Sequence, residues 1–204
     1  MTATAAQIAM AYPATGLALA QKIVDVSNKL GLPDPALLAN AINFESGYTF
    51  SPSAVNPNGG ATGLIQFYPR KPDGHANDAV GNNMGVTTSQ LARMSAVDQM
   101  DYVLRYFAPY AGKLKTVEDI SMAIYWPAAI GKGPNYTFPE STWAQNPGIR
   151  TVSDYVGKVM SRARLTPMTE TALVFGEGAA ITGTLAMMAL AVGAFFWWRH
   201  RSRR

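Results

Sequence analysis

Cysteine is absent from the chain, which excludes disulfides and thiolate metal sites and leaves the redox compartment open. Histidine is scarce: His75 and His200 are the only two, too few for a histidine-built metal cluster. His75 lies in a polar loop and reads as a solvated residue. Neither a metal nor a cofactor is expected. Charge is sparse as well. Asp, Glu, Lys and Arg make up 15 % of the 204 residues, below the roughly 25 % of ordinary soluble domains and in keeping with a membrane segment. The net charge of +4 is local: Arg199, Arg201, Arg203 and Arg204 close the chain, and removing those four from the 17 basic residues leaves as many as the 13 acidic ones. A neutral body argues against sequence-specific nucleic-acid binding.

What is present is a long uncharged run, Gly178 to Trp198, ending in Trp197-Trp198 directly before the arginines. At about 1.5 Å per residue it spans about 31 Å as a helix, the thickness of a bilayer's hydrocarbon layer, with indoles and guanidiniums at one interface. A transmembrane helix over 178–198 is the expectation. The domain boundaries follow: 1–163 a folded domain, 164–177 a linker, 178–198 the membrane span and 199–204 a basic tail.

Within the domain, Met1 to Ala20 is alanine-rich but lacks a basic leading region, and Pro13 interrupts it, so it reads as a helical lead-in rather than a secretion signal. Gln21–Leu30 continues as an amphipathic helix burying Ile23, Val24, Val26 and Leu30, closed by Gly31 and Pro33. Ser95–Asp98, Thr116–Asp119 and Thr151–Asp154 each carry a hydroxyl three residues before an aspartate, the signature of a capped helix start. The helices so opened bury Tyr102, Val103, Tyr106 and Phe107; Ile120, Met122 and Ala123; and Val156, Val159 and Met160. Arg70–Val86 is a polar, Gly- and Asn-rich loop.

The chemistry concentrates in Pro35–Pro69. Asp34 and Pro35 start a helix of about three turns, with Leu37, Ala41 and Glu45 on one face and Leu38 and Ile42 widening it. Glu45 falls in the last turn at the edge of that apolar face, just before Gly47, a left-handed stop. Burial and the negative end of the helix dipole both disfavour its ionised form and raise its pKa, as a general acid for glycosidic cleavage requires. Asn58-Gly59-Gly60 is a tight-turn signal, and Leu64-Ile65-Gln66-Phe67 reads as the return strand of a short hairpin that walls a cleft.

Glu45-Ser46-Gly47, Ala54-Val55-Asn56-Pro57 and Gly60-Ala61-Thr62-Gly63-Leu64-Ile65-Gln66, taken in that order and spacing, closely resemble the soluble lytic transglycosylases, relatives of goose-type lysozyme. Three departures are visible: Asn56 stands where that family usually has Ser, the hairpin carries one extra residue, and Ile65 stands where the family has Met. The family's Ala-Tyr-Asn-Ala-Gly motif is matched by Ala123-Ile124-Tyr125-Trp126-Pro127, which keeps the tyrosine and resembles phage-borne members. The resemblance implies a mainly α, lysozyme-like (α+β) domain with a small β-hairpin at the active-site cleft. It also implies cleavage of the β-1,4 bond between N-acetylmuramic acid and N-acetylglucosamine in peptidoglycan, giving a 1,6-anhydro product. Glu45 would be the catalytic acid and base, with Ser46, Asn56, Gln66, Tyr125 and Trp126 binding substrate. Trp143, Tyr136 and Phe138 are further candidates for stacking on sugars.

The hairpin offers amides and no second carboxylate; Asp73 and Asp78 in the following loop are the other candidates. That favours transglycosylation over a hydrolase, which would be lysozyme-like and use such a partner. The more distant alternative is a non-enzymatic anchor binding glycan or a capsid protein. The expected partners are glycan strands and, through 178–198, a lipid bilayer, with capsid proteins or a packaged genome near the basic tail. The positive-inside rule and the missing signal together point to a single-pass C-terminal anchor. It would lie in a viral internal membrane, or in a bacterial inner membrane with the domain reaching the periplasm.

Overall fold

A computed structural model describes residues 2–57, 59–70, 79–80, 84–144 and 146–167. Seven α-helices carry the described part: α1 Ala5–Ala11, α2 Gly16–Leu30, α3 Ala36–Glu45, α4 Thr88–Ala92, α5 Ala96–Phe107, α6 Val117–Tyr125 and α7 Val152–Met160. Their starts obey local chemistry. Reciprocal capping boxes open α1 (Thr4 with Gln7), α4 (Thr87 with Gln90), α6 (Thr116 with Asp119) and α7 (Thr151 with Asp154). Ser95 caps α5 by accepting from the Asp98 amide. Gly31, at φ 67°, closes α2 in the left-handed conformation.

The helix α3 is the hub. Every residue from Ala36 to Asn43 is buried, so this helix is enclosed on all sides rather than lying on a surface with one apolar face. It contacts α2, α6 and α7, while α2 packs on α1 and α5, and α6 on α7. The start of α3 is fixed by Asp34, whose carboxylate accepts from the amides of Ala36 (2.8 Å) and Ala3 (3.1 Å). Its two buried asparagines are satisfied across the fold: Asn40 Nδ2 donates to the Leu165 carbonyl (2.8 Å) and Asn43 Nδ2 to that of Arg162 (3.1 Å). Tyr12 completes this staple by donating to Asn40 Oδ1 while accepting from the Arg164 amide. The segment after α7 is thereby tied to the central helix.

The expected mainly α, lysozyme-like (α+β) architecture is corrected in its strand part: the described residues are mainly helical, and no hairpin of strands follows α3. The one strand pair among them is two residues long, Pro69–Arg70 against Ala79–Val80. Where the hairpin was expected, isolated bridges join Val55 to Thr62 and Thr62 to Phe67. The reason is local. Gly60, Gly63 and Gln66 all take positive φ, so every third residue turns the chain before a ladder can extend. The transmembrane helix is likewise not found: no helix of the described residues is long and apolar enough to cross a membrane. Residues 178–198 lie outside them, as does most of the 70–86 loop, with His75, Asp73 and Asp78.

Smaller differences follow from packing. Val24, Tyr102, Tyr106, Val156 and Met160 are partly buried rather than core, whereas Gln99, Met100 and Tyr155 are buried.

Candidate active site

Four helices each deliver one side chain to a common point. Glu45 ends α3, Tyr106 lies on α5, Tyr125 ends α6 and Tyr155 lies on α7. The Tyr155 hydroxyl donates to Glu45 Oε1 at 2.5 Å. Its ring rests edge-on against Phe44 (5.7 Å) and is stacked with Tyr125, centroids 4.4 Å apart at 26°. Tyr125 in turn meets Phe138 edge-to-face at 5.0 Å. The acid therefore sits at the end of an ordered stack of rings, each fixed by the next.

Burial raises the Glu45 pKa from 4.5 to about 7, opposed by the hydrogen bond from Tyr155, which favours the carboxylate. Among the described residues no second carboxylate and no cation contributes. Burial, with the negative charge of Glu45 nearby, pushes the Tyr155 hydroxyl well above its usual range, so it remains a donor. Tyr106 is raised as well, by burial first and then by Tyr110 and Glu45. Its hydroxyl is directed to the Ala123 carbonyl at 3.0 Å. Glu45 keeps partial contact with solvent, leaving the proton within reach of an incoming oxygen.

The loop after α3 is held in strained turns. Tyr48, Phe50 and Gln66, at φ 70°, 52° and 54°, are the non-glycine residues in the left-handed region among the described residues, and such strain gathers where a loop is over-determined by its surroundings. Ser46 is buried and its hydroxyl accepts from the Phe50 amide at 2.9 Å, so it shapes this turn. Gln66 donates through Nε2 to the carbonyls of Ala54 (3.2 Å) and Gly63 (3.1 Å), closing the turn from inside; it makes no hydrogen bond to Glu45. Asn56 is exposed at the base of the neighbouring turn, its amide donating to the Ala61 carbonyl at 2.8 Å.

Tyr125 is linked to the acid through the Tyr155 ring, on which it stacks. Its hydroxyl is enclosed without a well-formed hydrogen bond; burial raises its pKa, and only a looser interaction with the Thr142 side chain opposes this. Trp126 follows α6 as its C-terminal cap and packs on Phe138 at 6.2 Å. Tyr136 also lies edge-on to Phe138, at 6.0 Å. Trp143 donates from its indole to the Phe138 carbonyl (3.1 Å) and lies under the Arg150 guanidinium (4.9 Å). Phe138 itself is core. Among the described residues, no three His, Asp or Glu side chains group as metal ligands.

Two residues at this site carried no distinctive sequence signal. Tyr155 sits at a helix position that reads as ordinary amphipathic packing. Gln99, wholly buried on α5, braces the site loop: it accepts from the Leu64 amide (2.7 Å) and donates to the carbonyls of Pro52 (3.0 Å) and Leu91 (2.9 Å). A β-carbon at Gly63 would stand 2.4 Å from Gln99 Oε1, and φ there is 89°, so both space and backbone require glycine.

Compared with protein-family models, with curated proteins and with solved structures, the chain matches none.

Proposed function

We propose that the protein is a lytic transglycosylase of peptidoglycan, with Glu45 as its single catalytic carboxyl. The observation that carries this reading is the environment of Glu45: buried enough to hold its proton near neutral pH, yet gripped by a phenol that stabilises the carboxylate once the proton leaves. In the proposed reaction Glu45 gives its proton to the glycosidic oxygen as the bond to muramic acid C1 breaks. The carboxylate then takes the proton of the muramyl 6-hydroxyl as that oxygen closes on C1, so no water is consumed. Tyr155 positions the acid and Tyr125 braces Tyr155.

Among the described residues no carboxylate acts on Glu45, which supports transglycosylation over hydrolysis; the loop candidates Asp73 and Asp78 lie outside them. Asp34, at the opposite end of α3, is about 15 Å from Glu45 along the helix axis, beyond the roughly 5–9.5 Å that paired carboxylates span in glycosidases. Asp119 and Asp154 are engaged in the caps of their own helices. Attachment to a bilayer through the uncharged stretch 178–198, with the arginines of 199–204 at an anionic surface or packaged genome, is proposed on sequence grounds.

Digestion of purified cell-wall sacculi by the full chain tests the proposal. Soluble fragments ending in 1,6-anhydromuramic acid are expected. Reducing ends would make it a hydrolase, and no release would make the domain a binding module.

A further inference from the structure

A cavity of about 630 Å³ lies on the other side of α3 from the acid, between Tyr12 and Pro13, the turn at Tyr48 and Phe50, and the segment holding Arg162 and Arg164. Asn43, which faces it, is about 200° around the helix from Glu45, so the cavity does not belong to the glycosidic site. Its volume suits a ligand headgroup. Among the described residues lining it the two charged groups are both arginines, and no Asp or Glu is present.

The arginines are held in place by backbone contacts already described: the Arg162 carbonyl accepts from Asn43, and the Arg164 amide donates to Tyr12. The Arg162 guanidinium lies over the Tyr48 ring at 5.4 Å, and Arg164 Nη1 donates to the Ala11 carbonyl at 3.2 Å. Exposed apolar side chains flank the same stretches of chain. Met10 is 81 % exposed, Leu17 65 % and Tyr48 44 %. A cationic, aromatic cavity bordered by exposed apolar residues matches the boundary of an anionic bilayer, with phosphates outside and acyl chains beneath. The arginine segment is also where the described chain ends, at residue 167, and the uncharged stretch begins at Gly178. The intervening residues span no more than about 40 Å.

We infer that this cavity seats the phosphate of an anionic phospholipid, with Met10, Leu17 and Tyr48 resting on the membrane surface, so that the domain lies against the bilayer with a fixed face. The inference rests on the membrane attachment proposed above and adds a lipid preference. Two arginines at an anionic surface raise the ratio of docked to undocked domain roughly thirtyfold.

The test mixes the full chain with vesicles of phosphatidylcholine, alone or with phosphatidylglycerol, and recovers bound protein by flotation. Hydroxyl-radical labelling then reads Met10 and Tyr48 against Tyr68, which is 66 % exposed on the site loop. Flotation on both vesicles is expected, with Met10 and Tyr48 losing reactivity severalfold only where phosphatidylglycerol is present. The pair Arg162→Gln/Arg164→Gln removes that difference and Arg162→Lys/Arg164→Lys keeps it. Flotation with equal labelling on both vesicles overturns the inference and leaves attachment standing; no flotation overturns both. Protection that survives the Gln pair, or is lost equally in the Lys pair, overturns the role of the two charges. Protection of Tyr48 by soluble muropeptide in detergent assigns the cavity to a cell-wall peptide instead.

Discussion

The Tyr155 hydroxyl reaches Glu45 Oε1 from 110 positions further along the chain and supplies the hydrogen bond that the carboxyl makes. That bond pulls the Glu45 pKa down against burial. Tyr155→Phe removes the pull, so the carboxyl titrates above about 7, by about one unit for a hydrogen bond to a charged group. Carbon-13 NMR of the labelled Glu45 carboxyl against pH checks this; an unchanged or lower pKa contradicts it. Any activity lost on the alkaline side shifts the same way.

A carboxyl raised on folding makes the folded state the better proton binder. Stability from this group is present in full below about 4.5, falls as pH rises from there to about 7, and stays low above. The drop is on the order of 3 kcal/mol. Glu45→Gln cannot ionise, so the difference in urea midpoint between the two proteins should widen in favour of the variant from pH 4.5 to 7. A difference that is flat with pH contradicts the burial of the acid.

Gly63 and Gln99 compete for one space. Gly63→Ala meets Gln99 Oε1 at 2.4 Å and holds alanine at φ 89°, costing about 2–4 kcal/mol. Adding Gln99→Ala relieves the clash but not the backbone strain, so in a double-mutant cycle the pair costs less than the sum of the two single changes, with the strain at Gly63 remaining. Strict additivity in chemical denaturation contradicts the contact.

Tyr125→Phe isolates the hydroxyl. The hydroxyl is enclosed and poorly bonded, so its removal leaves stability within about 1 kcal/mol or raises it. Turnover is expected to change little with it, because the enclosed hydroxyl does not meet the sugar and the ring still stacks on Tyr155. A loss of stability of several kcal/mol would show that the hydroxyl is bonded after all.

Much of the helical frame was legible because helix starts are written locally. Thr116 with Asp119 and Thr151 with Asp154 fall three apart and form the boxes expected of them, and Gly31 and Gly47 take left-handed stops. The position of Glu45 at the end of α3 was legible for the same reason, and its raised pKa followed from the apolar run before it. The hairpin was misread because Leu64–Phe67 is apolar enough for a strand, while the positive φ at Gln66 has no signature in its side chain. Ser46 carries no mark distinguishing a turn-former from a ligand. Tyr155 and Gln99 were illegible because their roles are long-range: each acts on a residue 35 or more positions away, and nothing in a helix's own periodicity records which partner its buried polar group meets.

The central claim is tested most directly by mass analysis of muropeptides released from sacculi by the full chain and by Glu45→Gln at pH 6 to 7. The account predicts 1,6-anhydro products from the first and at least a hundredfold less release from the second, about what loss of a general acid costs, with the fold unchanged. Equal release by the variant, or no release by either, would contradict it.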